Sequence, residues 1–407
     1  MTAPAASPTV SRRTALGALA GAAAAFTIVN PRAVRGDDAN RKLTLGVVGL
    51  GGRGAWIAGL FQKHGGYQIA AVADYFQPVA DAAGERFGVP ANRRFSGLSG
   101  YRKVIDAKVD AVVLETPPCF FPAHVKAAVA AGCHVYMAKP VAVDVPGCLA
   151  VLAAAKTAAS KGKTFLIDFQ TRTDPYFQEA MRLVHDGVLG PVSMMSSAYT
   201  DEGHDDPPKR PTIEDRLQRN VWGTDHELGG GPLVTAGIHA IDISLWAAGR
   251  LPVSAMGIGT RGRKNPQVDA HDCFSLSYDY GAGLIHNHRG EHVKNLHGFA
   301  CSLQVFGQDA VMEGAYDGKT WVHGVNKSYK GGMVVGLYQA GAERNIATFH
   351  KSVLAGDASN PTVEPSVNAA LACILGREAA FRGAKLTWAE MMKEQKRYEA
   401  DLTGLRE

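Results

Sequence analysis

The sequence predicts an α/β protein in two parts: a doubly wound parallel sheet, followed by an α/β domain with a large, mostly antiparallel sheet. Three observations carry this. Short apolar runs alternate with helical segments between residues 42 and 168, the pattern of parallel strands with helices on both faces. A glycine-rich hexapeptide follows the first of those runs. Beyond residue 170 the texture changes to consecutive alternating segments bounded by Gly and Asp, which is the mark of neighbouring antiparallel strands.

The chain has 407 residues, of which 46% are hydrophobic and 20% charged. That length suits two domains, and that composition excludes a disordered or polytopic membrane chain. The net charge is +5, with 43 basic and 38 acidic residues and no basic block, so a nucleic-acid partner is excluded.

Residues 1–40 read as an address. Arg12-Arg13 precedes an uncharged run of small apolar residues, Ala15–Val29. A twin-arginine pair before a short, weakly apolar segment is the pattern of a bacterial export signal. The run is shorter than the roughly 20 residues a spanning helix needs. A periplasmic or other extracytoplasmic location is expected, with the signal either cut or kept in contact with the membrane. Proteins exported by this route fold first, which favours a tightly held cofactor. The six cysteines show no C-x-x-C pair or metal-ligand spacing, and are expected to be buried thiols without a required disulfide.

Residues 41–169 carry the nucleotide signal. Lys42–Val48 is a buried strand, and it runs into Gly49-Leu50-Gly51-Gly52-Arg53-Gly54, with a helix over Ala55–His64. Strand, G-x-G-x-x-G and helix stand in the order a Rossmann dinucleotide site needs: a tight turn, close backbone approach to the pyrophosphate, and a helix N-terminus facing it. Asp74 ends a second strand, Gln68–Ala73, 20 residues after Gly54. An acid there accepts from the adenosine ribose hydroxyls and repels a 2′-phosphate, so NAD is favoured and NADP is the lesser alternative. The alternation continues through a helix at Ser99–Ala107, a strand at Asp110–Glu115 and a helix at Pro122–Ala131. A strand at His134–Met137, a helix at Pro146–Ser160 and a strand at Thr164–Asp168 complete it. The turns holding Thr116-Pro117 and Lys139-Pro140 follow strands, at the edge where ligands bind.

Residues 170–407 read as a substrate and oligomerisation domain. A helix is predicted over Pro175–Asp186, a loop over Asp201–Thr212 and a helix over Leu233–Ala248 after Gly229-Gly230-Gly231. Strands follow at Val253–Thr260, Asp272–Tyr280, Leu284–Glu291, Phe299–Gly307 and Ala310–Ala315, with a hairpin turn at Tyr280-Gly281-Ala282-Gly283. A helix over Val367–Arg382 and a short one after Thr387 close the chain.

These residues together resemble the glucose–fructose oxidoreductase / inositol dehydrogenase (Gfo/Idh/MocA) superfamily. The resemblance rests on Gly49–Gly54, on Thr116-Pro117 with His124, on Gly132–Pro140, on Gly190-Pro191-Val192, on Gly230–Asp242 and on Leu371–Ala380. It implies hydride transfer between a nicotinamide cofactor and a sugar, sugar derivative or cyclitol, and often a homo-oligomer, here a dimer or tetramer. It places the lysine of a Glu-Lys-Pro motif at Lys139 and a later histidine at His239. Two departures stand out: the motif glutamate is Ala138, and the acid four positions before the histidine is Thr235.

Alcohol oxidation needs a base near neutral pKa within reach of the hydroxyl. His239 is the expected base, and Lys139 is expected to polarise the substrate oxygen. Asp242, three residues on along the helix, is expected either to orient His239 or to bind a sugar hydroxyl. The cofactor set is Gly49, Gly51, Gly52, Arg53, Gly54, Asp74, Thr116, Pro117, His124, Lys139 and Pro140. Eight of the 14 histidines lie between residues 204 and 297. His286 and His288 share a strand face and could chelate zinc, but no cysteine spacing supports them and no metal site is expected. Trp222, Asp225 and His226 are candidates to line a sugar site. Two rival readings remain: a redox-assisted glycosidase or lyase with bound NAD, and a carbohydrate-binding protein without catalysis.

Overall fold

The computed structural model describes residues 42–209, 211–265 and 267–407; the segment expected to be an export signal lies outside them. The first half alternates β1 (Leu43–Val48), α1 (Gly52–His64), β2 (Tyr67–Asp74), α2 (Gln77–Phe87), β3 (Arg94–Ser96) and α3 (Gly100–Asp106). It continues with β4 (Ala111–Leu114), α4 (Phe121–Ala130), β5 (His134–Ala138), α5 (Val145–Ser160) and β6 (Phe165–Asp168). The six strands pair in parallel in the order β3-β2-β1-β4-β5-β6. β4 and β6 are buried along their whole length, which is why they read as unbroken apolar runs.

The second half holds α6 (Pro175–His185), β7 (Val192–Thr200), α7 (Ile213–Leu217), α8 (Ile238–Ala248), β8 (Ser254–Thr260), β9 (Cys273–Asp279) and β10 (Ile285–Glu291). Then come β11 (Ala300–Gly307), β12 (Ala310–Ala315), β13 (Thr320–Gly324), β14 (Tyr329–Gly332), α9 (Leu337–Ala355), α10 (Val363–Arg382), β15 (Leu386–Thr387) and α11 (Trp388–Glu394). Nine strands order as β14-β13-β12-β11-β7-β10-β9-β8-β15. All pairs are antiparallel except β7 with β10. α8 packs on β7 and β11, and α10 on β8 and β9.

The halves are not separate along the chain. α9 lies on α1 and β6, and α10 lies on α5. Tyr67 Oη donates to Ile346 O at 2.8 Å, and Trp56 stacks on Tyr338 with centroids 4.6 Å apart. Residues 42–407 therefore cluster as one compact unit.

Several elements differ from the sequence reading. The expected helix over Leu233–Ala248 opens with one wide π-type turn, Leu233–Gly237, before α8 begins; such turns concentrate at functional sites. α10 starts at Val363, four residues earlier than expected. β7, the centre of the large sheet, was not foreseen, because its sequence VSMMSSAYT has too little apolar alternation. α2 and α9 were also missed. Of the six free thiols, Cys119 and Cys273 are half-buried rather than buried. Among the described residues, no helix is long and apolar enough to cross a membrane.

Candidate active site

The nucleotide crevice forms where β1 turns into α1. Gly49 has φ +86, and a Cβ there would lie 2.7 Å from the Glu115 carbonyl carbon and the Thr116 nitrogen. A Cβ on Gly54 would lie 1.9 Å from Gly49 O. Only glycine lets the loop and helix close this tightly. Gly51 caps α1 without any side-chain hydrogen bond, so the first-turn amides, from Gly52 on, are left for an anion. A pocket of about 440 Å³ adjoins the loop, walled by Gly49, Gly51, Asp74, Thr116, Pro117 and His124. These residues fit a dinucleotide.

Asp74 Oδ2 accepts from Leu50 N at 2.8 Å and Oδ1 from Phe76 N at 3.0 Å, which aims the carboxylate while leaving lone pairs for ribose hydroxyls. Burial raises its pKa, against those two amides. Asp74→Ser is expected to weaken NAD binding about ten- to a hundredfold, the worth of hydrogen bonds to a charged group, and NADP binding less; fluorescence titration with both reduced nucleotides measures the ratio. His124 Nδ1 lies 3.4 Å from Thr116 Oγ1, with its ring against Tyr101 and Phe120. Burial pushes its pKa down to about 3, so it is a neutral wall. Two other parts of the chain finish the pocket. Leu217, Arg219 and Trp222 line it. Tyr75 Oη donates to Glu214 Oε1 at 2.5 Å, and the Arg406 guanidinium lies over the Tyr75 ring.

Arg53 belongs elsewhere than expected. Its side chain does not join the phosphate-facing amides. Its Nε lies 3.1 Å from Glu115 Oε2, its Nη2 pairs with Asp168, and its Nη1 donates to Tyr338 Oη at 2.7 Å. Glu115 and Asp168 follow or end β4 and β6, and both are buried acids that sequence reasoning missed. Burial pushes Glu115 up to about 7, against the pull of Arg53. Their signal in the sequence was a charge ending each apolar run.

Lys139 follows β5, with Pro140 buried behind it through a cis peptide. Its Nζ donates to Thr235 O in the π-type turn at 2.6 Å. Burial, and then the charge of Arg53, push its pKa down from 10.5 to about 8. His239, one residue into α8, is buried among aromatic rings: Phe169 and Tyr316 meet it edge-on, and Tyr199 lies parallel at 6.2 Å. Its Nδ1 is buried without a partner. Burial, Lys139 and Arg53 together hold its pKa well below the usual histidine value. The structure thus brings Lys139 and His239 together as expected, but makes His239 a neutral ring and a weak base.

Asp242 does neither of the things expected of it. It is fully buried and its oxygens are taken by Arg172, with Nε at 3.0 and 2.9 Å and Nη2 at 2.8 Å. Arg172 also lies over the Trp246 ring, 5.2 Å from its centroid. This is an ion pair locking α8 to the loop after β6.

The remaining histidines divide by environment. His286 and His288 share Ser197 Oγ at 2.7 and 2.9 Å beneath α8, and are packing groups. His292 Nδ1 meets Asp201 Oδ1 at 3.0 Å, and its ring lies near-parallel to Tyr199, which also faces His239. Burial would raise Asp201, but His292, His204 and the Gly203 amide together hold the carboxyl low. Of the sugar-site candidates, Trp222 reaches the nucleotide pocket. Asp225 pairs with Arg216, and His226 packs between Phe381 and Tyr398.

Comparison with known proteins agrees with this geometry. Residues 43–169 match the model of an oxidoreductase family with an NAD-binding Rossmann fold, and residues 177–313 match that of the GFO/IDH/MocA C-terminal domain. Inositol 2-dehydrogenase 2 of Saccharopolyspora erythraea is 30% identical over 247 residues, 60% of this chain and 65% of that protein. 2,7-anhydro-N-acetylneuraminate hydratase of Escherichia coli K12 is 27% identical over 218 residues, 53% of this chain and 52% of that protein. The chain thus spans between half and two thirds of these curated relatives. Aldose-aldose oxidoreductase from Caulobacter crescentus shares the fold, with TM-score 0.67, 21% identity, and coverage of 85% of this chain and 100% of that one. With both family models matched and the glycine loop, Asp74 and Lys139 in place, the chain belongs to the Gfo/Idh/MocA oxidoreductase family, with an NAD-binding Rossmann domain.

Proposed function

We propose that the protein is an NAD-dependent oxidoreductase acting on a CH–OH group of a sugar, sugar derivative or cyclitol. Lys139 carries the reading: a half-buried lysine just after β5 that donates to Thr235 O at 2.6 Å, with a pKa pushed down to about 8, suits proton transfer near neutral pH. The inositol 2-dehydrogenase relative supports the substrate class. NAD, when bound, supplies the hydride acceptor. Lys139, in its neutral form, takes the hydroxyl proton. His239 stays neutral and holds the hydroxyl by a hydrogen bond, since two nearby cations and burial oppose an imidazolium.

The sign of the pH dependence follows. Below about pH 8 the amine of Lys139 is protonated and cannot act as base, so NAD reduction should rise with pH through that value. Absorbance of reduced nicotinamide during a panel that includes myo-inositol and glucosides tests the activity. His239→Asn is expected to cost about 10²-fold in kcat, the lower end for a positioned acid–base partner; full activity would remove it from the site. The hydratase relative favours a second reading, in which oxidation and reduction cancel within one cycle. Product without net NAD reduction would select it.

Two further parts of the proposal concern place and assembly. The Arg12-Arg13 pair supports export, and retention in the cytoplasm of both the parent and an Arg12→Lys/Arg13→Lys variant would count against it. Met194, Met256, Ile258 and Ile285 are exposed by 41–72% on one face of the large sheet, an apolar surface that supports a homo-oligomer. Light scattering at the monomer mass would exclude it.

A further inference from the structure

The parallel pair in the large sheet brings two chain exits together. Thr200 pairs with Glu291 at the carboxyl ends of β7 and β10, so Asp201 and His292 leave the sheet side by side. His292 Nδ1 lies 3.0 Å from Asp201 Oδ1. His204, in the loop that Asp201 opens, turns its Nε2 toward Thr235 Oγ1 at 3.4 Å. Arg263 follows β8, and its side chain is only 5% exposed. It ties the two exits to each other: Nη1 donates to His204 O at 2.7 Å and Nη2 to His292 O at 2.8 Å. Thr235 joins this cluster to the proposed reacting centre, because its carbonyl takes Lys139 Nζ at 2.6 Å. Tyr199 joins it a second time, with its ring near-parallel to both His239 and His292.

The ring protons follow from these partners. A carboxylate only accepts, so His292 Nδ1 carries a hydrogen and Nε2 of the neutral ring keeps a lone pair. The Thr235 hydroxyl gives its one proton to Gly231 O at 3.1 Å. His204 Nε2 is therefore the donor toward that hydroxyl, and Nδ1 keeps the lone pair. Both lone-pair nitrogens are buried without a partner, in residues 8% and 0% exposed. Folded chains leave few such atoms unpaired. Gly223 closes the other edge of the His204 ring, where a Cβ would lie 1.9 Å from Cδ2 and 2.2 Å from Nε2. We propose that His204 Nδ1 and His292 Nε2 accept hydrogen bonds from two substrate hydroxyls, so the substrate is a polyol with further hydroxyls beside the carbon being oxidised. A simple secondary alcohol leaves both nitrogens stranded, which a site built to pair them penalises. Arg263 acts as the positioning residue for both rings.

The inference rests on the oxidoreductase reading, and its test separates the two. Histidine 15N spectra of the NAD-loaded protein are assigned by the signals lost in His204→Phe and His292→Phe. They should show His204 in the Nε2–H form and His292 in the Nδ1–H form. Both bare nitrogens should shift on titration with a panel of myo-inositol and methyl glucosides. The parent should prefer the panel polyol that binds best over cyclohexanol, a ring with a single hydroxyl. His204→Phe should narrow that preference about ten- to a hundredfold, the worth of a buried acceptor's partner. His204→Asn, which keeps an amide oxygen near the place of Nδ1, should restore most of it. A merely structural role would weaken polyol and cyclohexanol alike, and that result would overturn the proposal. So would the opposite ring form, or an imidazolium, at either histidine. If His204→Phe does not fold, the ring forms of the parent, assigned through His204→Asn, decide. Shifts of both nitrogens without NAD reduction would keep the two acceptors and overturn the oxidoreductase reading. NAD reduction with both nitrogens unmoved would do the reverse, and no response by either readout would overturn both.

Discussion

Lys139→Met is expected to lower kcat/KM for NAD reduction by about 10²–10³, the cost of removing one preorganised donor or acceptor from a buried reacting centre. The methionine nearly fills the same volume, so folding should survive. The lost group is the amine that donates to Thr235 O at 2.6 Å and whose pKa burial pushes down to about 8. The rise of rate through that pH should disappear with it. NAD affinity should change only a few-fold, because the phosphate-facing amides open α1 and Asp74 ends β2, both away from β5 in the chain. Steady-state kinetics over pH, with nucleotide titration alongside, separate these outcomes. A rate within threefold of the parent would show that the proton leaves by another group.

Asp242→Leu should cost about 3 kcal/mol of stability, the low end for breaking a buried pair, because it leaves the partly exposed Arg172 cation without its partner. The pair is bidentate and the carboxylate is wholly buried. Arg172→Leu/Asp242→Leu should recover most of that loss, since replacing both partners by apolar groups removes the uncompensated charge. Urea unfolding of both variants measures the difference. Asp242→Asn, assayed while folded, should keep kcat within a few-fold. A hundredfold loss there would return Asp242 to the chemistry and away from the scaffold.

Asp242 also shows where sequence reasoning stopped. Its spacing from His239 was right for a shared helical face, but spacing cannot say what lies against that face, and Arg172 comes from 70 residues earlier. Arg53 failed in a similar way. The fingerprint fixed its backbone at the helix start, while its side chain answers to two acids far along the chain. What was legible was local: the glycine loop, Asp74, Lys139-Pro140, and most of the parallel sheet, whose strands are apolar runs cut by turn residues. β7 was illegible because it is half polar on one face and is held by β10 and β11, neither adjacent in sequence. α9 was illegible because its buried stripe, including Leu337, Ile346 and Phe349, is thin and interrupted by polar residues.

The nucleotide pocket also bears on how the protein matures. Its floor comes from residues 49–124, yet its rim is closed by Leu217 and Trp222, and Tyr75 is held by Glu214 and Arg406. A nascent chain that has emerged only through β6 has the fingerprint but not the walls. The complete wall of the pocket therefore belongs to the finished molecule.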